Sequence, residues 1–310
     1  MKVYVRTLNN SGISKSEKRM ENTDVNIYEK KRNLIIRYSD RTRAPIGIFD
    51  SGVGGLTVAR EVIRQLPAEK VVYFGDTARV PYGSKSKETV TKYSRQIIRF
   101  LKTKDVKAIV IACNTASAYA LQEISEEIEI PIIGVVIPGA NVAALTTKNK
   151  RVGIIGTEGT INSKIYSSVI DGLVSGITVI GKACPLFVPL VEEGMVEDPV
   201  TTEIAGRYLG ELKEKDIDTL ILGCTHYPLI RKTVGDIMGD KITMVNPAYE
   251  TAKELKKLLE QKKLLSHEEE VDRGAHEFYV SDAADKFKKF ADTILKFEIA
   301  NVEKINIEEY

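Results

Sequence analysis

Two cysteines close two phrases of closely similar wording, Ala108-Ile109-Val110-Ile111-Ala112-Cys113-Asn114-Thr115 and Thr219-Leu220-Ile221-Leu222-Gly223-Cys224-Thr225-His226. Each is a short apolar run, a small residue, a thiol, and then polar residues suited to start a helix. A thiol at a helix N-terminus feels the positive end of the dipole, which lowers its pKa and favours the thiolate. Two such thiols on matching strands predict one pocket worked from both sides. One would take a proton from one face of a carbon acid, and the other would return a proton to the opposite face. Either cysteine alone reads as well as a small buried hydrophobe; the matched contexts are what favour chemistry. Cys113, Cys184, Cys224 and His226 would make four zinc ligands on paper, but the Cys-x-x-Cys and His-x₃₋₅-His spacings of zinc sites are missing, so no metal is expected.

Three further stretches carry polar groups where strands end. Phe49-Asp50-Ser51-Gly52-Val53-Gly54-Gly55-Leu56 is a tight glycine turn that opens a helix. It fails the dinucleotide fingerprint, because position 57 is Thr, and no Gly-Lys-Ser/Thr phosphate loop follows. What remains is a set of backbone N–H groups suited to a carboxylate or phosphate, with Asp50 and Ser51 at the mouth. Asp50 reads equally well as a plain N-cap. Tyr73-Phe74-Gly75-Asp76-Thr77-Ala78-Arg79-Val80-Pro81-Tyr82-Gly83 is a polar loop stiffened by Pro81, and Pro185 to Gly194 ends in the adjacent acids Glu192 and Glu193.

From Pro45 onward the elements that must position these loops alternate. Strand-like runs fall at 46–49, 71–74, 107–112, 132–136, 151–155, 177–180, 219–223, 242–245 and 277–280, with helix-like stretches at 55–66, 86–103, 116–128, 199–214 and 249–263. Continuous apolar strands alternating with amphipathic helices predict an α/β protein with parallel sheets covered on both faces. Gly47-Ile48-Phe49-Asp50-Ser51 also resembles Gly153-Ile154-Ile155-Gly156-Thr157, at nearly the same offset as the two cysteine phrases. Two related doubly wound, flavodoxin-like units are therefore expected, facing each other across a cleft at the carboxyl ends of their strands.

The chain of 310 residues is long enough for two ordinary domains, and its 43% apolar residues can build two cores. Three cysteines do not make a disulfide framework, and no apolar run is long enough for a membrane span or a secretory leader, so a cytoplasmic location is expected. Residues 1–43 carry 11 Lys and Arg against 5 Asp and Glu, whereas the chain as a whole has net charge +2. Such a basic lead would suit nucleic acid or another anionic partner. The plainer reading, preferred here, is a solvated and poorly ordered extension.

Together the Asp50–Gly55 loop, Asp76 to Gly83, Cys113-Asn114-Thr115, Cys224-Thr225-His226 and Val188 to Gly194 resemble the glutamate racemases of the aspartate/glutamate racemase family. The resemblance covers about residues 45–250 and leaves 1–43 outside. It implies a cofactor-independent isomerase that interconverts L- and D-glutamate and supplies D-glutamate for peptidoglycan, commonly as a homodimer. It implies one domain from 44–138 plus 247–310 and another from 139–246, with the active site between them. Catalytic thiols fall on Cys113 and Cys224, with Asp50 assisting the first and His226 the second. The family's glutamate near the second thiol falls on Glu192 or its neighbour Glu193, Glu192 being the better match. Substrate contacts fall on Asp50, Ser51, Tyr82, Gly83, Asn114, Thr115, Thr225 and His226. Aspartate racemase, hydantoin racemase and maleate isomerase share the two-thiol logic; the detailed loops favour glutamate.

Overall fold

The structure is a computed structural model that describes residues 3–9, 12–18 and 41–310. Strands β1 (Val3–Asn9) and β2 (Gly12–Lys18) pair antiparallel, from Val3 opposite Lys18 to Asn9 opposite Gly12. They belong to a unit of their own, Met1–Thr42, distinct from Arg43–Tyr310. The remainder of the basic extension, residues 19–40, lies outside the described residues.

Residues 43–310 hold two parallel sheets. In the larger, the order is β12 (Val302–Lys304), β11 (Glu277–Val280), β4 (Val71–Gly75), β3 (Ile46–Asp50), β5 (Ala108–Ile111) and β6 (Ile132–Gly134). In the smaller it is β10 (Thr243–Val245), β9 (Thr219–Gly223), β7 (Arg151–Gly156) and β8 (Thr178–Ala183). Strands β3, β4, β5 and β9 are buried at every position, which is why they read as unbroken apolar runs. Successive side chains serve opposite faces. Ile48 joins one core and Phe49 the other, and in β9 Leu220 and Leu222 face one core while Ile221 faces its opposite. The α/β class and the parallel sheets match expectation.

The order β4-β3-β5-β6 in the larger sheet is repeated by β8-β7-β9-β10 in the smaller. The internal similarity of the sequence therefore has a structural counterpart: β3 corresponds to β7, and β5 to β9. In each sheet the first-strand loop and the cysteine loop leave neighbouring strands at the same end.

The structure differs from the sequence reading in several elements. A helix spans Val136–Thr146, so the run expected as a strand to 136 ends at Gly134. Helices Ile165–Leu173, Arg231–Met238 and Ala284–Leu295 and strand β12 are additional. The Val136–Thr146 helix packs in the core of the smaller sheet with Val152, Ile154 and Tyr166. Among the described residues no helix is long and apolar enough to cross a membrane.

Candidate active site

Cys113 follows β5 and is the N-cap of helix Asn114–Glu127, where its sulfur accepts the Ala116 N–H at 3.4 Å. The expected helix start is present, but the expected fall in pKa is not. Burial pushes the Cys113 thiol up, the nearby Asp50 charge adds to this, and the amide of Ala116 and the hydroxyl of Ser51 only partly oppose them; the thiol reaches about 12. Cys224 follows β9 in a different local setting. The chain enters a short 3₁₀ turn, Tyr227–Ile230, before the next helix. The Cys224 sulfur lies 3.8 Å from His226 Nδ1, and His226 Nε2 lies 3.0 Å from Glu192 Oε1. Burial alone would lower the His226 pKa. The hydrogen bonds to Cys224 and Glu192 and the charges of Cys224 and Asp50 outweigh it and carry it up to about 10, so the imidazole holds its proton at neutral pH.

Asp50 ends β3, fully buried. Its Oδ2 accepts the N–H groups of Gly52 and Gly55, both at 3.0 Å, while Oδ1 has no hydrogen-bond partner among the described residues. Burial raises its pKa against the pull of His226 and of those amides. The turn requires glycine. A Cβ on Gly55 would come within 2.4 Å of Asp50 Cβ, and one on Gly54 within 2.4 Å of both His226 Nδ1 and Thr225 Oγ1.

The Tyr82-Gly83 turn is anchored from below. Tyr82 donates its hydroxyl to Asp76, which also receives Arg79 Nε at 2.7 Å and the Ser281 hydroxyl at 2.8 Å. Arg79 continues to Glu308 at 3.1 Å, so the C-terminal segment helps hold this loop. With the tyrosine hydroxyl engaged, the backbone of Tyr82 and Gly83 is what the turn offers a ligand.

Ser51, Val80, Pro81, Tyr82, Gly83, Cys113, Asn114, Thr115, Thr157, Val188, Cys224, Thr225 and His226 line one cavity of about 20 Å³. Both thiols therefore face the same space, at the ends of two strands from two sheets. The cavity would hold about one water molecule. A second hollow of about 250 Å³ shares Val80, Pro81, Gly83, Thr157 and Val188 with it and adds Glu192. A larger hollow of about 580 Å³, lined by Leu121, Ile133, Ile137 and Leu258 among others, contains neither thiol facing the cavity.

Of the residues singled out in the sequence, Ser51, Tyr82, Gly83, Asn114, Thr115, Thr225 and His226 line the cavity with the two thiols. Asp50 sits directly behind, and Glu192 reaches His226. Glu193 does not join them: it pairs with Lys286 at 3.1 Å on the surface. Cys184 lies in the core of the smaller sheet beside Phe187, and Tyr227 donates its hydroxyl to the Cys184 carbonyl at 2.8 Å. Among the described residues no group of three or more His, Cys, Asp or Glu is arranged to hold a metal ion.

Thr157 was missed. It follows β7 as Ser51 follows β3, and the internal repeat pairs the two. Its hydroxyl lies 2.8 Å from that of Thr115, with Thr160 completing a three-hydroxyl cluster across the cleft. Two more hydrogen bonds join the sheets here: the Thr57 hydroxyl donates to the Thr225 carbonyl at 3.0 Å, and the Tyr166 hydroxyl to Asn114 Oδ1 at 2.7 Å.

Two facing α/β units place a thiol from each in one small closed cavity. Residues 46–255 match the model of the Asp/Glu/Hydantoin racemase family, and the chain belongs to that family. It is a racemase, an isomerase, and curated relatives that match it are glutamate racemases. The one from Geobacter metallireducens is 47% identical over 263 residues, covering 85% of this chain and 97% of that protein. Among solved structures, a glutamate racemase isoform from Bacillus anthracis is 40% identical with a TM-score of 0.82, covering 86% of this chain and 98% of that one. The glutamate racemase of Francisella tularensis, solved in complex with D-glutamate, is 38% identical with a TM-score of 0.81, covering 87% and 100%.

Proposed function

We propose that this chain interconverts L- and D-glutamate by a two-base mechanism without a cofactor, and that it supplies D-glutamate for peptidoglycan in the cytoplasm, working as a homodimer. The observation that carries the chemistry is that Cys113 and Cys224 line one cavity, each with its own helper: Asp50 behind the first and the His226–Glu192 pair beside the second. We take 44–138 with 247–310 as the lobe bearing Cys113, and 139–246 as the lobe bearing Cys224.

The α-proton of an amino acid is weakly acidic, so a base alone is insufficient. The high pKa of Cys113 keeps it a proton donor, and the imidazolium of His226 supplies a counter-charge for negative sulfur at Cys224. Cys224 then takes the proton from L-glutamate as Cys113 delivers one to the opposite face. In reverse, Asp50 receives the Cys113 proton and His226 returns one to Cys224, so that Cys113 takes the proton from D-glutamate as Cys224 delivers one to the opposite face. Positioned proton transfer of this kind contributes about 10²–10⁴-fold. The hydroxyls of Ser51, Thr115 and Thr225, the Asn114 amide and the Tyr82-Gly83 backbone would hold the two carboxylates and spread the charge that develops on the one next to the reacting carbon. Closing the cleft removes water and strengthens each of these contacts.

The test is circular dichroism of L-glutamate, L-aspartate and a hydantoin with the purified protein and with Cys113→Ala and Cys224→Ala. Racemisation of glutamate well above the other two substrates, abolished by either substitution, is the expected result. Each Cys→Ser variant should exchange solvent deuterium from one enantiomer in preference to the other. Turnover retained in both alanine variants would remove the two-base reading.

A further inference from the structure

Asn114 is the one amide side chain lining the cavity, and an amide is ambiguous: one end donates two hydrogen bonds and the other only accepts. Which end faces a bound ligand decides whether the position attracts a carboxylate or repels it. The choice is not made within its own sheet. Tyr166, on helix Ile165–Leu173 of the opposite unit, donates its hydroxyl to Asn114 Oδ1 at 2.7 Å. Both side chains are buried, at 2% and 4% exposure, so neither has bulk water as a substitute partner. Burial, with the charge of Cys224 adding to it, raises the phenol pKa, so Tyr166 is a neutral donor at neutral pH.

We infer that Tyr166 is a positioning residue for carboxylate recognition: by occupying Oδ1 of Asn114 from across the cleft, it turns the amide N–H groups of Asn114 toward the substrate. The inference rests on the reading of the cavity as a glutamate site. Three geometric facts support it. The phenol fixes Oδ1 through one of its lone pairs, and among the described residues no hydrogen bond engages Nδ2, which leaves Nδ2 as the end available to the cavity. The donor comes from the unit that carries Cys224, whereas Asn114 adjoins Cys113, so the bond is made only when the two units are together. And Tyr166 is not among the residues that line the cavity, so it acts through the amide rather than on the ligand. Without the phenol the amide is free to present its oxygen, and the site loses selectivity for a negative group. Tyr166 thereby couples closure of the cleft to the appearance of a carboxylate donor.

The experiment uses the full-length protein with Tyr166→Phe, Asn114→Ala and the double substitution, and measures KM and kcat for both enantiomers by circular dichroism. Tyr166→Phe should raise KM about tenfold in both directions, the size of one neutral hydrogen bond, with kcat changed by less than about twofold. In the Asn114→Ala background the same change should add nothing, because the amide it orients is gone. Unchanged KM in Tyr166→Phe, or losses that multiply in the double variant, would overturn the inference and leave Tyr166 as a packing residue. If Tyr166→Phe does not fold, Asn114→Asp substitutes for it: the acceptor for Tyr166 is kept and the amide donors are lost, so KM should rise at least as far as in Asn114→Ala, and a wild-type KM would refute the proposal. An Asn114→Ala variant with normal KM would instead strike the reading of Asn114 as a substrate contact, and the role of Tyr166 would fall with it.

Discussion

Thr57 and Thr225 lie 168 residues apart, yet the Thr57 hydroxyl donates to the Thr225 carbonyl at 3.0 Å and to the Gly54 carbonyl at 2.9 Å. One buried hydroxyl thus ties the glycine turn of the larger sheet to the second cysteine loop of the smaller. Thr57→Val keeps the shape and removes the donor, leaving the Thr225 carbonyl short of a partner while the Gly54 carbonyl keeps the Thr57 N–H at 3.0 Å. A stability loss of about 1–3 kcal/mol is expected by urea denaturation, together with a higher KM. A variant as stable as the parent would show that water replaces the bond without cost.

The glycine turn should be intolerant at one position and forgiving two residues away. A Cβ at Gly54 would meet His226 and Thr225 at 2.4 Å, whereas one at Gly52 has Val80 Cγ2 as its nearest neighbour, at 3.3 Å. Gly54→Ala should reduce kcat about a hundredfold by displacing the Cys224 loop. Gly52→Ala should remain within a few-fold of the parent. Equal rates for the two would contradict the close packing of this turn against His226.

The adjacent acids should separate cleanly. Glu192 holds His226 at 3.0 Å, while Glu193 pairs with Lys286 at the surface, where both side chains are more than 60% exposed. Glu192→Gln should lower the His226 pKa and slow the direction in which Cys224 acts, by about tenfold or more. Glu193→Gln should leave both directions within about twofold. Steady-state rates in each direction distinguish the two.

Two histidines set opposite limbs of a stability–pH curve. Burial lowers His276 from its ordinary 6.5 to about 4, with Lys70 adding to the effect, and its Nδ1 accepts the Val71 N–H. Between pH 4 and 6.5 the unfolded chain binds a proton there that the folded chain does not, so stability rises with pH across that window, by up to about 3 kcal/mol. His226 has its pKa raised to about 10, so its contribution is complete below 6.5 and is lost as pH rises through 10. Urea midpoints from pH 4 to 10 should therefore peak near 6.5, and His276→Phe should flatten the acid limb alone. An unchanged acid limb in that variant would assign it to other groups.

Much of this site is legible in the sequence because each chemical residue follows an unbroken apolar run. Strands buried on both faces announce themselves, and the residue after the run stands at the strand end where ligands bind. Cys113, Cys224, Asp50 and Ser51 are found that way. Thr157 follows the same rule, but it also caps a short helix, and that ordinary role hid it. Glu192 and Glu193 cannot be ranked by adjacency; only the path of the helix Phe187–Glu192 turns one inward. Tyr166 is a lone aromatic on an amphipathic helix and reads as core. The Cys113 thiol pKa is not legible for a related reason: a helix start shows in the sequence, whereas complete burial beside Asp50 is a property of the assembled cleft. The helix Val136–Thr146 reads in part as strand because Ile132 to Ile137 is continuously apolar, and β12 carries little signal because Val302–Lys304 is three residues long and partly charged.

The groups that join the two halves over the cavity, Thr57, Asn114, Tyr166, Thr115, Thr157 and Thr160, are all uncharged. Separating such partners strips no ion of its counter-ion, and each bond yields to a competing water at a cost of about 1 kcal/mol. The one charged link described across the same divide, Glu193 with Lys286 at 3.1 Å, is exposed and already screened by solvent, so the jaws should release product only slightly faster in concentrated brine than in dilute buffer.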